Sequence, residues 1–191
     1  MKNSIRISLI VFLISVLFLN LHSQNKNEMK KTIKNKSQLQ EFLNFRSELE
    51  KIFKTPDKNE KSRIIDSLWD SLKKANKIPF TVGNYAAFLY RGEADSIAFH
   101  GDFTNWGRIG SGNNWAQRLP DTDFWILEKE FPEDARLDYK IVINGKNWIL
   151  DPANPYTQMS GYGANSELRM PEWKPSPWAV RDDNLPSGKL S

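Results

Sequence analysis

Leu137-Asp138-Tyr139-Lys140-Ile141-Val142-Ile143-Asn144-Gly145 places apolar side chains at every second position and ends in a turn signal. Because side chains alternate between the two faces of a strand, the leucine, the tyrosine and the isoleucines predict one core-facing side. The opposite side carries Asp138, Lys140, Val142 and Asn144. The stretch therefore predicts a strand with one buried face, followed by a hairpin turn at Asn144-Gly145.

Short patterns of the same kind surround that strand. Five further strands are predicted between turn-forming clusters of Gly, Pro, Asn and Asp, and they span 85–90, 96–100, 124–131, 148–150 and 167–170. The side chains expected to point inward are Phe88, Tyr90, Ile97 and Phe99. Several short strands over about 90 residues predict a mainly β fold, an immunoglobulin-like β-sandwich at 78–171.

Residues 24–77 follow a different period. Apolar residues recur at spacings of three and four in two stretches, 39–53 and 64–72. Thr55-Pro56-Asp57 ends the first stretch and offers an N-cap to the second. The pattern predicts a helical hairpin whose apolar stripes need a cover. Two roles are open for it: a stalk or pro-segment packed on the next domain, or a coiled coil that binds a partner and whose basic charge could meet an acidic envelope surface.

The first 23 residues have the layout of a secretory signal peptide. Lys2 and Arg6 precede an apolar run over 7–19, and this run is shorter than the roughly 20 residues that a membrane span needs. We therefore expect a periplasmic or secreted protein with no stable membrane insertion after cleavage. The chain has no cysteine, so its core must stabilise the exported domain without disulfides.

Charge is divided along the chain. Residues 24–77 carry fourteen basic and eight acidic side chains, whereas 78–191 carry eleven basic and fifteen acidic ones. The basic excess lies in the leader and the helical segment. A nucleic-acid partner is therefore not expected for the sandwich.

The residues needed for common catalytic sites are missing. His100 is the one histidine beyond the predicted leader, and it lies in a predicted strand without a Gly-x-Ser-x-Gly elbow in the chain. A strand histidine in this setting is expected to be structural or exposed. The carboxylate pairs Asp121/Asp123 and Glu128/Glu130 are interpreted as a turn and a solvated strand face rather than a glycosidase pair. No enzyme activity, metal or cofactor is predicted.

Binding chemistry is present instead. An aromatic ring can stack on the weakly polar face of a sugar while amide and charged side chains meet its hydroxyls. The competing interpretation is that each tryptophan is a core residue. The residues Phe103-Thr104-Asn105-Trp106, Asp138-Tyr139-Lys140, Asn144-Gly145, Trp148 and Asp151-Pro152 resemble carbohydrate-binding module family 48, which includes the glycogen-binding domain of the AMP-activated protein kinase beta subunit and of branching enzymes.

This resemblance implies an early-set sandwich that binds an α-glucan-like oligo- or polysaccharide. In glycogen-binding members two tryptophans, a lysine and an asparagine contact the glucan. The resemblance implies that the residues at the corresponding motif positions, which are Trp106, Lys140, Trp148 and Asn165, contact the glucan here.

One departure from the family decides where Trp148 points. Those members usually have one residue between the turn glycine and the second tryptophan, whereas Lys146 and Asn147 intervene here. If Ile143 pairs with Lys146 across a two-residue turn, Trp148 falls opposite Ile141 on the core face. If a longer loop or a bulge absorbs one residue, Trp148 falls opposite Val142 and shares a face with Lys140. We expect the bulged form.

A second resemblance concerns the context of the module. The sequence over 119–170 looks similar to the early-set module that precedes the α/β-hydrolase domain of secreted bacterial esterases. Residues 172–191 resemble a linker that leads to that hydrolase. This implies an esterase domain as a partner in cis or in trans. The alternative to sugar binding is then that this module is a structural accessory domain of a truncated esterase, and that the module itself has no sugar affinity.

Overall fold

A computed structural model describes residues 36–108 and 114–176 of the chain. The predicted signal peptide and residues 177–191 of the predicted linker lie outside the described residues. None of the helices in this described part combines the length and apolar character that a membrane crossing needs.

The predicted helical hairpin is confirmed. Helix α1 spans Lys36–Lys54 and helix α2 spans Lys58–Lys74. The side chain of Asp57 caps α2 by accepting a hydrogen bond of 2.8 Å from the backbone N–H of Glu60. The turn at 55–57 therefore acts as its sequence predicts, since Pro56 interrupts the first helix and Asp57 starts the second.

In the part of the chain that the structure describes, nine strands follow the hairpin: β1 Phe80–Val82, β2 Tyr85–Arg91, β3 Ile97–Gly101, β4 Gln117–Arg118, β5 Phe124–Glu130, β6 Arg136–Ile143, β7 Asn147–Ile149, β8 Thr157–Ser160 and β9 Gly163–Arg169. The six predicted strands are all present. Strands β1, β4 and β8 were not predicted, because they are too short or too polar to show a period of two.

The strands form two antiparallel sheets. The first sheet has the order β1-β2-β5-β4, and the second has β3-β6-β9-β8 with β7 also paired to β6. Alternate residues of the two inner faces form one apolar cluster, which contains Phe88, Phe99, Tyr139, Ile141 and Leu168. The sandwich prediction is thereby confirmed, and the immunoglobulin-like type of its topology stays a prediction.

A second apolar cluster joins the helices to the outer face of the first sheet. Phe42, Leu49 and Ile52 of α1 lie in it, with Ile65 and Leu68 of α2 and with the strand residues Phe80, Tyr85, Leu89, Phe124 and Ile126. The rings of Phe45 and Phe80 stack with their centroids 4.1 Å apart. The hairpin is therefore a third layer packed on the sandwich, which favours the first of its two predicted roles.

The interpretation of Glu128 as part of a solvated face is wrong. Glu128 lies under α1, where it accepts hydrogen bonds from Arg46 and from the hydroxyl of Tyr85. The side chain of Arg46 is almost completely buried. Alternation along β5 correctly places Glu128 on the outer face of the sheet, but the helices cover that face.

Candidate functional site

The outer face of the second sheet is where the predicted binding residues meet. On β6 this face carries Lys140 and Val142, the partners of His100 and Ala98 on β3. On β7 it carries Trp148, directly opposite Val142. Lys140, Trp148 and His100 therefore share one surface, on the side of the sheet that faces away from the sandwich core.

The turn between β6 and β7 shows why Trp148 faces outward. Asn144 and Gly145 both have positive φ, 53° and 67°, and the N–H of Lys146 donates to the carbonyl of Ile143 across 3.1 Å. This is the geometry of a tight hairpin turn, for which Asn-Gly is the preferred pair. The paired residues are nevertheless Ile143 and Asn147. Lys146 is the extra residue, and the expected bulged register is confirmed.

The ring of Trp148 lies across the sheet and remains 45% exposed. It stacks on the imidazole of His100 with centroids 5.1 Å apart and an angle of 22° between the planes. The amide of Asn114 lies within hydrogen-bonding distance of Nδ1 of His100. Burial lowers the pKa of His100 from its ordinary value, so the neutral ring is favoured in this stack.

The segment Asp102–Gly107 carries Trp106 and is fixed at several points. Phe103 enters the sandwich core and stacks on Phe88 with centroids 5.0 Å apart. The buried hydroxyl of Thr104 accepts from the N–H of Gly101 and donates to its carbonyl, at 2.9 and 3.1 Å. The backbone then turns through positive φ at Asn105, Trp106 and Gly107. Such a left-handed run needs support from its surroundings, and Phe103 and Thr104 supply it.

Gly107 brings this segment against His100. A Cβ on Gly107 would lie 2.6 Å from the imidazole, so only glycine fits there. The indole N–H of Trp106 donates to Oδ1 of Asp102 at 3.1 Å, while Oδ2 of Asp102 accepts from the backbone N–H of Asp138 at 2.8 Å. The Asp102 carboxylate therefore holds the Trp106 ring against the start of β6.

Asn165 has a supporting position. It is only 6% exposed, and its amide donates to Oδ2 of Asp138 at 3.2 Å. The structure thus places Lys140 and Trp148 on one face with His100. Trp106 is held by Asp102 near the start of β6, and Asn165 is bonded to Asp138 there. Its role as a direct contact stays a prediction.

A buried polar network supports β7 from the inner side. The hydroxyl of Tyr139 donates to Oδ2 of Asp151 at 2.6 Å and accepts from the amide of Asn154 at 3.0 Å. The Asp151 backbone N–H donates to the hydroxyl of Ser166, and its Oδ1 accepts from Ala153. Burial raises the pKa of Asp151, an effect that these donors oppose. The Asp151-Pro152 motif is therefore structural.

Sequence reasoning missed two residues of this face. His100 was expected to be structural or exposed, and it proves to be the ring on which Trp148 stacks; its outward direction follows from the inward direction of Phe99. Trp115 also lies on the face, beside Ala98. No local pattern marks Trp115, because it belongs to a single bridge rather than to a strand.

Within residues 36–108 and 114–176, no group of three or more His, Asp or Glu side chains is arranged to hold a metal ion. No family model matches the sequence, and no curated protein matches it.

Solved structures that resemble the chain include enterobactin esterases, matched over part of their length. One is the enterobactin esterase FES from Shigella flexneri in the presence of enterobactin: the identity is 17%, the match covers 56% of this chain and 35% of that one, and the TM-score is 0.41. Another is the ferric enterobactin esterase from Salmonella typhimurium, with 16% identity, coverage of 53% and 35%, and a TM-score of 0.44. The chain spans about a third of the length of these esterases.

Proposed function

We propose that the outer face of the second sheet binds an oligo- or polysaccharide of the α-glucan type, and that the protein is a noncatalytic, exported module. The observation that carries this proposal is the position of Trp148. Its ring is 45% exposed, lies flat on His100, and shares its face with Lys140. A flat ring beside a cationic donor can stack on the apolar face of a sugar while the donor binds the sugar hydroxyls.

Both rings have contacts within the protein that hold them in position without a ligand. Trp148 is held by the stack on His100, and Trp106 is held by Asp102. Preorganised rings lose little conformational entropy on binding, which favours affinity. The face is nevertheless open, so each contact is modest. We expect weak binding by a single site and a role in keeping a neighbouring enzyme near its polymer.

The proposed enzyme is an esterase, joined to the module in cis or bound in trans. The support for this part is the sequence resemblance over 119–170 to modules of secreted bacterial esterases. The module would act from the periplasm or outside the cell. The alternative, a structural accessory domain without sugar affinity, is the outcome that the following experiment separates.

The test is affinity electrophoresis of the purified protein in gels that contain glycogen or amylopectin, followed by calorimetric titration with maltoheptaose. We expect the wild-type protein to be retarded and Trp148→Ala to lose about tenfold or more in affinity, the factor that corresponds to ~1.4 kcal/mol. Trp173→Ala is the matched control, because its indole covers Arg169 and takes no part in the stack on His100.

Two results would contradict the proposal. Equal affinity of Trp148→Ala and wild type would show that the glucan binds elsewhere. A wild-type protein that none of these glucans retards would favour the accessory-domain role.

A further inference from the structure

Trp115 is attached to the candidate face by a short antiparallel contact with β3. The N–H of Phe99 donates to the carbonyl of Asn114 at 2.9 Å, and the N–H of Ala116 donates to the carbonyl of Ile97 at 2.8 Å. These two bonds frame a bridge in which Ala98 and Trp115 are directly opposite. Residues that oppose each other across antiparallel strands point to the same face. Trp115 therefore points to the outer face of the second sheet.

Four residues consequently form one row across that face. Trp115 is opposite Ala98, Ala98 is opposite Val142, and Val142 is opposite Trp148. The two inner members are an alanine and a valine, so the surface between the two indoles is apolar and is formed by small side chains. The two outer members are indoles. Three strand spacings separate their backbones, a distance of about 14 Å.

The four side chains of the row differ in their exposed fractions. Ala98 and Val142 are 0% and 2% exposed although they belong to an outer face, so other side chains of this face cover them. Trp115 and Trp148 remain 48% and 45% exposed. Each indole thus exposes apolar area to solvent, and the Trp148 ring reaches from its end of the row toward His100. Polar groups lie alongside: Lys140 and His100 occupy the next row of the sheet.

We propose that Trp115 forms a second sugar subsite and that the ligand is an extended oligosaccharide chain laid across strands β7, β6 and β3. This inference rests on the proposed function and specifies its ligand. A monosaccharide or disaccharide reaches one indole only, whereas a chain of several sugar units reaches both. Two linked weak contacts reinforce each other through effective concentration, so affinity rises with chain length until both rings are covered.

The test is a length series. The purified protein is titrated calorimetrically with maltose through maltoheptaose, and in parallel with cellobiose through cellohexaose. Wild-type affinity is expected to rise with length in the series that binds. Trp115→Ala should lose about tenfold for the longest member, equivalent to ~1.4 kcal/mol, and be unchanged for the shortest. Trp148→Ala should weaken every member. Trp115→Phe, which keeps a ring, should retain most of the length dependence.

The outcomes separate the two proposals. Length dependence that survives intact in Trp115→Ala, or an equal loss for short and long ligands, would overturn the second subsite while leaving the Trp148 site in place. Absence of binding by the wild-type protein in both series would overturn the proposed function and this inference with it. Near-ultraviolet circular dichroism of each variant confirms that a lost contact is not lost folding.

Discussion

The two sheets show the same alternation of side chains, but their outer faces differ in how far they are covered. The outer face of the first sheet lies under helices α1 and α2, which bury Tyr85, Leu89, Phe124 and Ile126. The outer face of the second sheet has no such layer among the described residues. Trp115 and Trp148 lie on it half-exposed. Aromatic residues on the first outer face are buried by a second layer, whereas the two tryptophans on the second outer face keep about half of their surface exposed to solvent.

Charged groups on the two faces differ in the same way. On the covered face, Glu128 is enclosed by Arg46 and Tyr85. On the open face, Asp102 and Asp138 bind a ring nitrogen and an amide, and thereby fix the positions of Trp106 and Asn165. The first set joins two layers, and the second set orients side chains. This difference predicts which substitutions unfold the protein and which affect only binding.

The largest effect is expected from Arg46→Ala. It would remove the guanidinium that donates to the Glu128 carboxylate beneath the helices, and removing one partner of a buried ion pair costs about 3–5 kcal/mol. Urea unfolding followed by far-ultraviolet circular dichroism measures this loss. Lys51→Ala is the control, because its pair with Glu48 is exposed and should contribute less than about 0.5 kcal/mol. A loss for Arg46→Ala as small as that of the control would mean that the hairpin is a loosely attached stalk.

A smaller loss is expected from Tyr139→Phe. The substitution removes only the hydroxyl that donates to Asp151 and accepts from Asn154. Leaving such buried polar groups unsatisfied costs about 1–3 kcal/mol. Tyr162→Phe removes a hydroxyl from a fully exposed ring and should leave the urea midpoint unchanged. If the two variants unfold alike, the network does not stabilise β7 and the Asp151-Pro152 motif needs another role.

Local features of this fold could be predicted from the sequence because they depend on neighbouring residues. The helical period, the Asp57 cap and the inward direction of Phe88, Ile97 and Phe99 are features of that kind. The register of Trp148 could be reduced to two alternatives. Choosing between them required the position of the bulge at Lys146, which depends on a single residue.

Contacts between distant segments could not be predicted in this way. Glu128 pairs with Arg46, which is 82 positions away, and nothing near Glu128 in the sequence indicates that a helix covers it. Trp115 joins the second sheet through one bridge to Ala98, too short to leave a period. The bulged register that puts Trp148 on the face of Lys140 was therefore predicted correctly, whereas the position of Trp115 on that face was not predicted.

Gly145→Ala tests the turn that directs Trp148 to the open face. We expect its loss of stability to lie between the losses for Tyr139→Phe and His100→Phe. Gly145 has a φ of 67° and open space where a Cβ would lie, so the expected cost of about 1–2 kcal/mol comes from backbone strain alone. Gly161→Ala is a matched control, since a Cβ there also meets open space but φ lies outside the left-handed region. Hydroxyl-radical footprinting of Trp148 reports the register: unchanged labelling is expected, and lost labelling would mean that the ring has turned to the core.

The smallest effect concerns His100, the titrating group of the aromatic stack on the open face. Burial lowers its pKa in the folded protein, so below the ordinary value of about 6.5 the unfolded chain takes up a proton more readily than the folded one. Stability should therefore fall as the pH drops through the window just beneath that value. In His100→Phe, which keeps a ring for Trp148 but does not titrate, urea midpoints measured between about pH 5 and 7.5 should fall less steeply. The chain's other histidine, His22, lies in the predicted leader, so a difference in slope belongs to His100. Parallel slopes would mean that Trp148 does not depend on a neutral imidazole, and the open face would then accommodate a charge, as the covered face does with Arg46 and Glu128.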